Sequence, residues 1–151
     1  MFTKNNYGKA EEALGFYASI LKNSRFQVFS RYKKEETPDL EGMIKYAQLV
    51  LEKQEFGIME SAQSHEFSFN EAISFIVNCS NQLEIDYYWN KLSAMPSAEQ
   101  CGWLKDKYGV SWQIMPENMG ELMAKNPSKT TPAMLNMKKI IIDDLINAGK
   151  Q

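Results

Sequence analysis

Few side chains in this sequence are equipped for chemistry. His65 is the one histidine among 151 residues. Zinc sites and catalytic triads draw on imidazole as ligand or base, so a single ring severely limits both. Ser61 and Ser64 stand close to it in the chain, but no nucleophile motif surrounds either hydroxyl. His65 therefore has two readings, a pocket acid or base and an exposed linker residue. Cys79 and Cys101 are far apart and flank no metal-ligand spacing. In a reducing compartment they remain free thiols. Glu60 is a carboxylate that a divalent ion would accept, but one carboxylate does not make a site. Gly8 and Gly57 stand alone. No glycine-rich turn between a strand and a helix is available to bind S-adenosylmethionine in the Rossmann manner.

The elements that must position these groups are organised around Gln100 to Pro116, QCGWLKDKYGVSWQIMP, which reads as strand, tight turn, strand. Trp103 and Leu104 carry β-favouring bulk. Asp106-Lys107-Tyr108-Gly109 is a turn in which glycine is free to take positive φ. Val110 to Met115 then alternates until Pro116 stops the ladder. Alternation puts Val110, Trp112 and Ile114 on a core face and Ser111, Gln113 and Met115 on a mixed face. This is either an ordinary buried hairpin or one wall of a cavity.

Earlier in the chain, Gly8–Leu21 has helical spacing of Ala13, Phe16, Tyr17, Ile20 and Leu21. Arg25–Tyr32 alternates as a strand, and Lys33–Gly42 is a charged loop. Met43–Leu51 and Glu55–Glu60 are strands about a turn, and Ser61–Glu66 is a linker. The pattern then restarts. Phe69–Cys79 is a strand, and Asn81–Leu92 is a helix with Leu83, Ile85, Tyr88, Trp89 and Leu92 on its apolar side. Ser93–Glu99 is a proline-containing turn region with room for a short strand. Phe16-Tyr17 of the first helix matches Tyr88-Trp89 of the second, which marks an internal repeat. After Pro116 come a short helix over Met119–Lys125 and a longer one. Thr131 caps the latter, Pro132 is its first residue, and it runs to Gly149. Its Met-rich face is either core or an adaptable lid or dimer contact.

Composition narrows the class. A hydrophobic fraction of 44% and a charged fraction of 24% are those of a globular domain, and net charge −2 offers no footprint for nucleic acid. No apolar run approaches the roughly 18 residues of a membrane span. The segment MFTKNNYGKAEE lacks a signal-peptide core, so a cytoplasmic location is expected.

The block CGWLKDKYGVSWQIMP closely resembles the C-terminal signature of the PhnB-like proteins, which carry the label 3-demethylubiquinone-9 3-methyltransferase. KAEEALGFYASILKNS, FNEAISFIVNCSNQLEIDYYWNKL and AMLNMKKIIIDDL resemble their other blocks in the same order. These proteins sit in the vicinal oxygen chelate superfamily with glyoxalase, extradiol dioxygenases and bleomycin-resistance proteins. The resemblance implies an α+β fold of paired βαβββ modules, the glyoxalase/bleomycin resistance/dihydroxybiphenyl dioxygenase fold. Module one would span 1–62, module two 67–116, and C-terminal helices 119–147, all in one domain. The sheets curve to form a cleft, and helices cover their outer sides. The family's first strand is nearly absent here, with Met1-Phe2 as its remnant.

The resemblance also implies a divalent metal on the inner strand faces, held by His and Glu, which polarises substrate oxygen atoms. This sequence departs from it. The Glu position is Gln113, and matching Tyr88-Trp89 to the family helix puts Ser74 at the His position. A neutral amide is a poorer ligand than a carboxylate for a hard dication. The expectation is therefore a pocket without metal or cofactor, lined through strand alternation by Tyr46, Gln48, Met59, Ser74, Asn78, Trp103 and Gln113. The corresponding function is a small-molecule-binding homodimer that engages neither nucleic acid nor membrane. The alternatives are a metal-dependent lyase, isomerase or dioxygenase of the superfamily, and the methyltransferase of the family label.

Overall fold

The computed structural model describes residues 1–150. It divides into two compact units, Met1–Ser68 and Phe69–Gln151. The break falls just beyond the expected linker.

Unit one opens with Phe2, which bridges Glu60 in parallel. The Phe2 N–H donates to Met59 O at 2.7 Å, and the Ser61 N–H donates to Phe2 O at 3.0 Å. The expected strand remnant is thus a single bridge. Helix α1 follows over Ala10–Ile20 and buries Ala10, Ala13, Leu14, Tyr17 and Ile20. Strands β1 (Arg25–Arg31), β2 (Ile44–Leu51) and β3 (Gln54–Ile58) form an antiparallel sheet in the order β1-β2-β3. Strand β1 is an edge, irregular around Ser30 where its register against β2 shifts.

Glu60 is what ties this unit together. Its carboxylate, 2% exposed, accepts from Ala10 N–H at 3.0 Å and from Ile44 N–H at 2.8 Å. The first N–H groups of a helix have no partner within the helix. Lys9 at the cap position of α1 offers no side-chain bond, and Glu60 supplies one from 50 residues away. A negative charge there also suits the positive end of the helix dipole. The lone carboxylate that by itself made no metal site is engaged by backbone donors.

Unit two contains β4 (Ser74–Cys79), α2 (Gln82–Leu92), β5 (Trp103–Lys105) and β6 (Ser111–Pro116), with sheet order β4-β6-β5. Strand β4 runs parallel to β6, and β5 runs antiparallel to it. The parallel first-to-last pairing repeats the Phe2–Glu60 bridge of unit one, so the repeat read from sequence is also one of topology. Asn81 caps α2 by accepting from Glu84 N–H at 3.0 Å. Against the sheet the helix buries Ile85, Tyr88, Trp89 and Leu92. Leu83 is 80% exposed, contrary to the periodicity reading. It stands two residues before Ile85, which at 3.6 residues per turn puts it on the side of the helix away from the packed face.

Four further expectations change. Strand β4 begins at Ser74, not Phe69, because Asn70 accepts from Ala72 N–H at 2.9 Å and holds a local turn. Ser93–Glu99 contains a 3-10 turn at Pro96–Ala98 and no strand. Val110 lies outside β6 and is only half-buried, because its N–H and carbonyl are both bonded to Asp106. The long last helix is two. Helix α3 covers Met119–Ala124, α4 covers Pro127–Leu135, and α5 covers Ile142–Gly149. Pro127 starts α4, so Pro132 falls inside it and Thr131 caps nothing.

The interruption after Leu135 has a tertiary cause. The carbonyls of Met137 and Lys138 accept from the N–H groups of Cys101 and Gly102, at 2.8 and 2.7 Å. Gln82 of α2 donates to Ile140 O at 3.1 Å and accepts from Ile142 N–H at 2.9 Å. Backbone groups that would have made helical bonds are claimed by the rest of the unit.

Candidate functional site

The site is best built from β6. Its burial alternates as expected, with Trp112 and Ile114 in the core against α2 and Gln113 and Met115 half-buried on the other face. The turn that feeds β6 is organised by Asp106, which is fully buried. One carboxylate oxygen accepts from Tyr108 N–H at 2.9 Å and Val110 N–H at 3.0 Å. The other accepts from the Trp112 indole N–H at 2.9 Å. A buried carboxylate is tolerated only with such donors. This web fixes where Trp112 points, and so fixes which way Gln113 faces.

Register then writes out the open face. Ser111 of β6 lies opposite Ser74 of β4 and Lys105 of β5. Gln113 lies opposite Ile76 and Trp103, and Met115 lies opposite Asn78. Gln113 Nε2 donates to Ser74 Oγ at 2.8 Å. Ser111 is 1% exposed, and its hydroxyl has no hydrogen-bond partner among the described residues. Lys105 pairs with Glu71, whose carboxyl is held below its usual range by that bond and by its own backbone N–H. Gly102 bounds the face beside Met115. Its φ is +83°, and an added Cβ would come within 2.9 Å of the Met115 methyl and 3.1 Å of Ile114 O.

Four of the seven expected lining residues, Ser74, Asn78, Trp103 and Gln113, therefore share one face of unit two. The other three belong to unit one. Tyr46 lies against Gly57, whose added Cβ would sit 3.4 Å from the ring, and it stacks on Phe29 at 5.8 Å between centroids. Gln48 donates to Glu55 at 3.0 Å. Met59 sits just past β3 with its carbonyl taken by Phe2. Ser111 and Lys105 share this face, with Glu71 paired to Lys105, and none of the three was among the expected lining residues. Alternation already put Ser111 beside Gln113, but only strand register shows what stands across from it.

His65 lies against Phe67 with the rings tilted, 4.8 Å between centroids, and its Nε2 is buried without a hydrogen bond among the described residues. Ser61 Oγ accepts from Gln63 N–H, so no serine–histidine pair forms there. Among the described residues no group of three or more His, Cys, Asp or Glu side chains is placed to hold a metal ion. Neither Cys79 nor Cys101 forms a disulfide among the described residues. No helix among them is long and apolar enough to cross a membrane.

Fold and site together define a class: an α+β protein of two repeated sheet-and-helix units, the second with a sheet face of mixed polar and apolar residues. The chain belongs to the 3-demethylubiquinone-9 3-methyltransferase family, whose model matches residues 1–115. It is similar to a solved PhnB protein from Bacillus cereus that carries the same methyltransferase name. Identity to that structure is 39% with a TM-score of 0.61, over 72% of this chain and 92% of the other. A solved protein from Staphylococcus aureus is 24% identical with a TM-score of 0.28, over 76% of this chain and 92% of that one. No curated protein matches the chain.

Proposed function

We propose that this protein binds a small organic molecule on the open face of unit two, without a metal, and works as a homodimer. The observation that carries the reading is the Gln113–Ser74 hydrogen bond at 2.8 Å. These two positions are those at which the superfamily resemblance calls for Glu and His. Here they satisfy one another through an amide and a hydroxyl, groups suited to hydrogen-bonding an organic ligand rather than to holding a hard dication. Trp103 and Ile76 flank Gln113 and offer apolar surface for a ligand's carbon skeleton. Tyr46, Gln48 and Met59, which alternation put among the lining residues, lie in unit one and form no part of this unit-two face.

The methyltransferase name makes transfer from S-adenosylmethionine the second reading. The strand-to-helix connection in unit two argues against it. Ser80-Asn81 contains no glycine, and the start of α2 is closed by Asn81 and by Glu84, which accepts from Ser80 N–H at 2.9 Å.

Native mass spectrometry of protein purified from its own host tests the proposal. A retained small molecule, lost from Gln113→Ala, is the expected result. An empty wild type, or a molecule held equally by Gln113→Ala, overturns the reading. So does about one metal ion per chain that leaves on chelation. In a separate titration S-adenosylmethionine is expected to give no saturable heat, and micromolar binding would restore the methyltransferase.

A further inference from the structure

Ser111 is at the centre of a row of hydrogen-bond donors that crosses all three strands of the unit-two sheet. Its hydroxyl is buried and unpartnered, which leaves a desolvated polar group with nothing in exchange. Across β4, Ser74 uses its oxygen to accept from Gln113, so its own proton is directed elsewhere. Across β5, Lys105 adds an ammonium. The row therefore offers two hydroxyl protons and an ammonium, and the only charge it carries is positive.

One carboxylate already meets this row, and it comes from the chain itself. Glu71, 61% exposed and on the turn before β4, pairs with Lys105. Asp106, the other nearby acid, spends both oxygens on turn N–H groups and the Trp112 indole. We propose that the Ser74–Ser111–Lys105 row binds the carboxylate of a small organic acid, and that Glu71 occupies the ammonium end of the row until the ligand displaces it. The proposal rests on reading this face as the small-molecule site, and it names the chemical class of the ligand.

Three physical points carry it. Exchanging one carboxylate for another leaves the charge of the face unchanged, whereas a neutral ligand that displaced Glu71 would strand the ammonium. Glu71 is the exposed end of this pair, 61% against 19% for Lys105, so the departing carboxylate is readily taken up by water while the shielded ammonium needs a new anion. The incoming group also gains the Ser111 hydroxyl, which Glu71 leaves unpaired. The next row, Ile76–Gln113–Trp103, then receives the body of the acid.

The test uses benzoate as probe and benzamide as its neutral counterpart, titrated into the full isotope-labelled chain and followed by backbone amide shifts. Benzoate is expected to shift Ser74, Lys105 and Ser111 saturably, with benzamide about tenfold weaker. Lys105→Met and Ser111→Ala are each expected to weaken benzoate about fivefold or more. Ser111→Ala removes one oxygen and serves if Lys105→Met does not fold. Glu71→Gln is expected to tighten benzoate about threefold by vacating the ammonium. Equal binding of the two probes, shifts confined to other residues, or a weakening by Glu71→Gln would overturn the proposal. If benzoate fails while the native protein still retains a molecule that Gln113→Ala loses, the acid assignment falls and the small-molecule reading stands. If the native protein retains nothing, both fall.

Discussion

Trp112 and Gln113 are adjacent in β6 and are expected to fail differently. Trp112 is 2% exposed and donates its indole N–H to Asp106. Trp112→Ala opens a cavity and removes one donor from a buried carboxylate, for a loss of roughly 3–5 kcal/mol in denaturant unfolding. Gln113 is half-buried, and its side chain donates to a serine hydroxyl. Gln113→Ala is expected to leave the unfolding midpoint nearly unchanged while ligand retention falls. The reverse pattern would mean that the polar face is on the wrong side of the strand. Gln113→Glu supplies the family's carboxylate but still stands beside Ser74. It is expected to bind no metal in elemental analysis, because coordination remains incomplete.

Among elements, α1 and the final helices illustrate how distant side chains determine where a helix starts or stops. Glu60 bonds Ala10 N–H and Ile44 N–H at once. In Glu60→Gln one amide oxygen replaces two carboxylate oxygens, so one buried donor loses its partner. The expected cost is about 1–3 kcal/mol, read by chemical denaturation. A silent Glu60→Gln would mean that α1 needs no remote cap. Gln82 plays the comparable part for α5, with bonds to Ile140 O and Ile142 N–H. Gln82→Ala is expected to raise amide exchange in α5 well before the strands of the same unit. Uniform exchange across the unit would show that the interruption is held by something else.

At the scale of the whole molecule, the open question of assembly turns on β1. This strand is an edge, and Phe26 and Phe29 on it are 41% and 53% exposed. Exposed edges that carry large apolar side chains invite strand pairing, and closed two-fold association is the commonest way of covering them. Light scattering is expected to give twice the 17.4 kDa chain mass across a tenfold dilution from micromolar concentration. A stable monomer over that range would remove the dimer.

The sequence by itself determined the local and repeating features. Alternation in β6 placed Trp112 and Ile114 in the core, helical spacing located α1 and α2, and matched aromatic pairs exposed the duplication that the parallel pairings repeat. These follow from backbone periodicity, which neighbouring residues carry among themselves. The family resemblance came from ordered blocks, and residues 1–115 match the family. Tertiary structure decided everything that depends on groups distant in sequence. Glu60 stood in the sequence as a lone carboxylate without a role, and only the fold shows backbone N–H groups from α1 and β2 claiming it. The helix read as continuous to Gly149 breaks because Cys101, Gly102 and Gln82 take its hydrogen-bonding groups. Lys105 and Ser111 became one row only when β5 and β6 paired in a particular register. Register and remote capping are settled by packing energies between segments, and no local pattern encodes them.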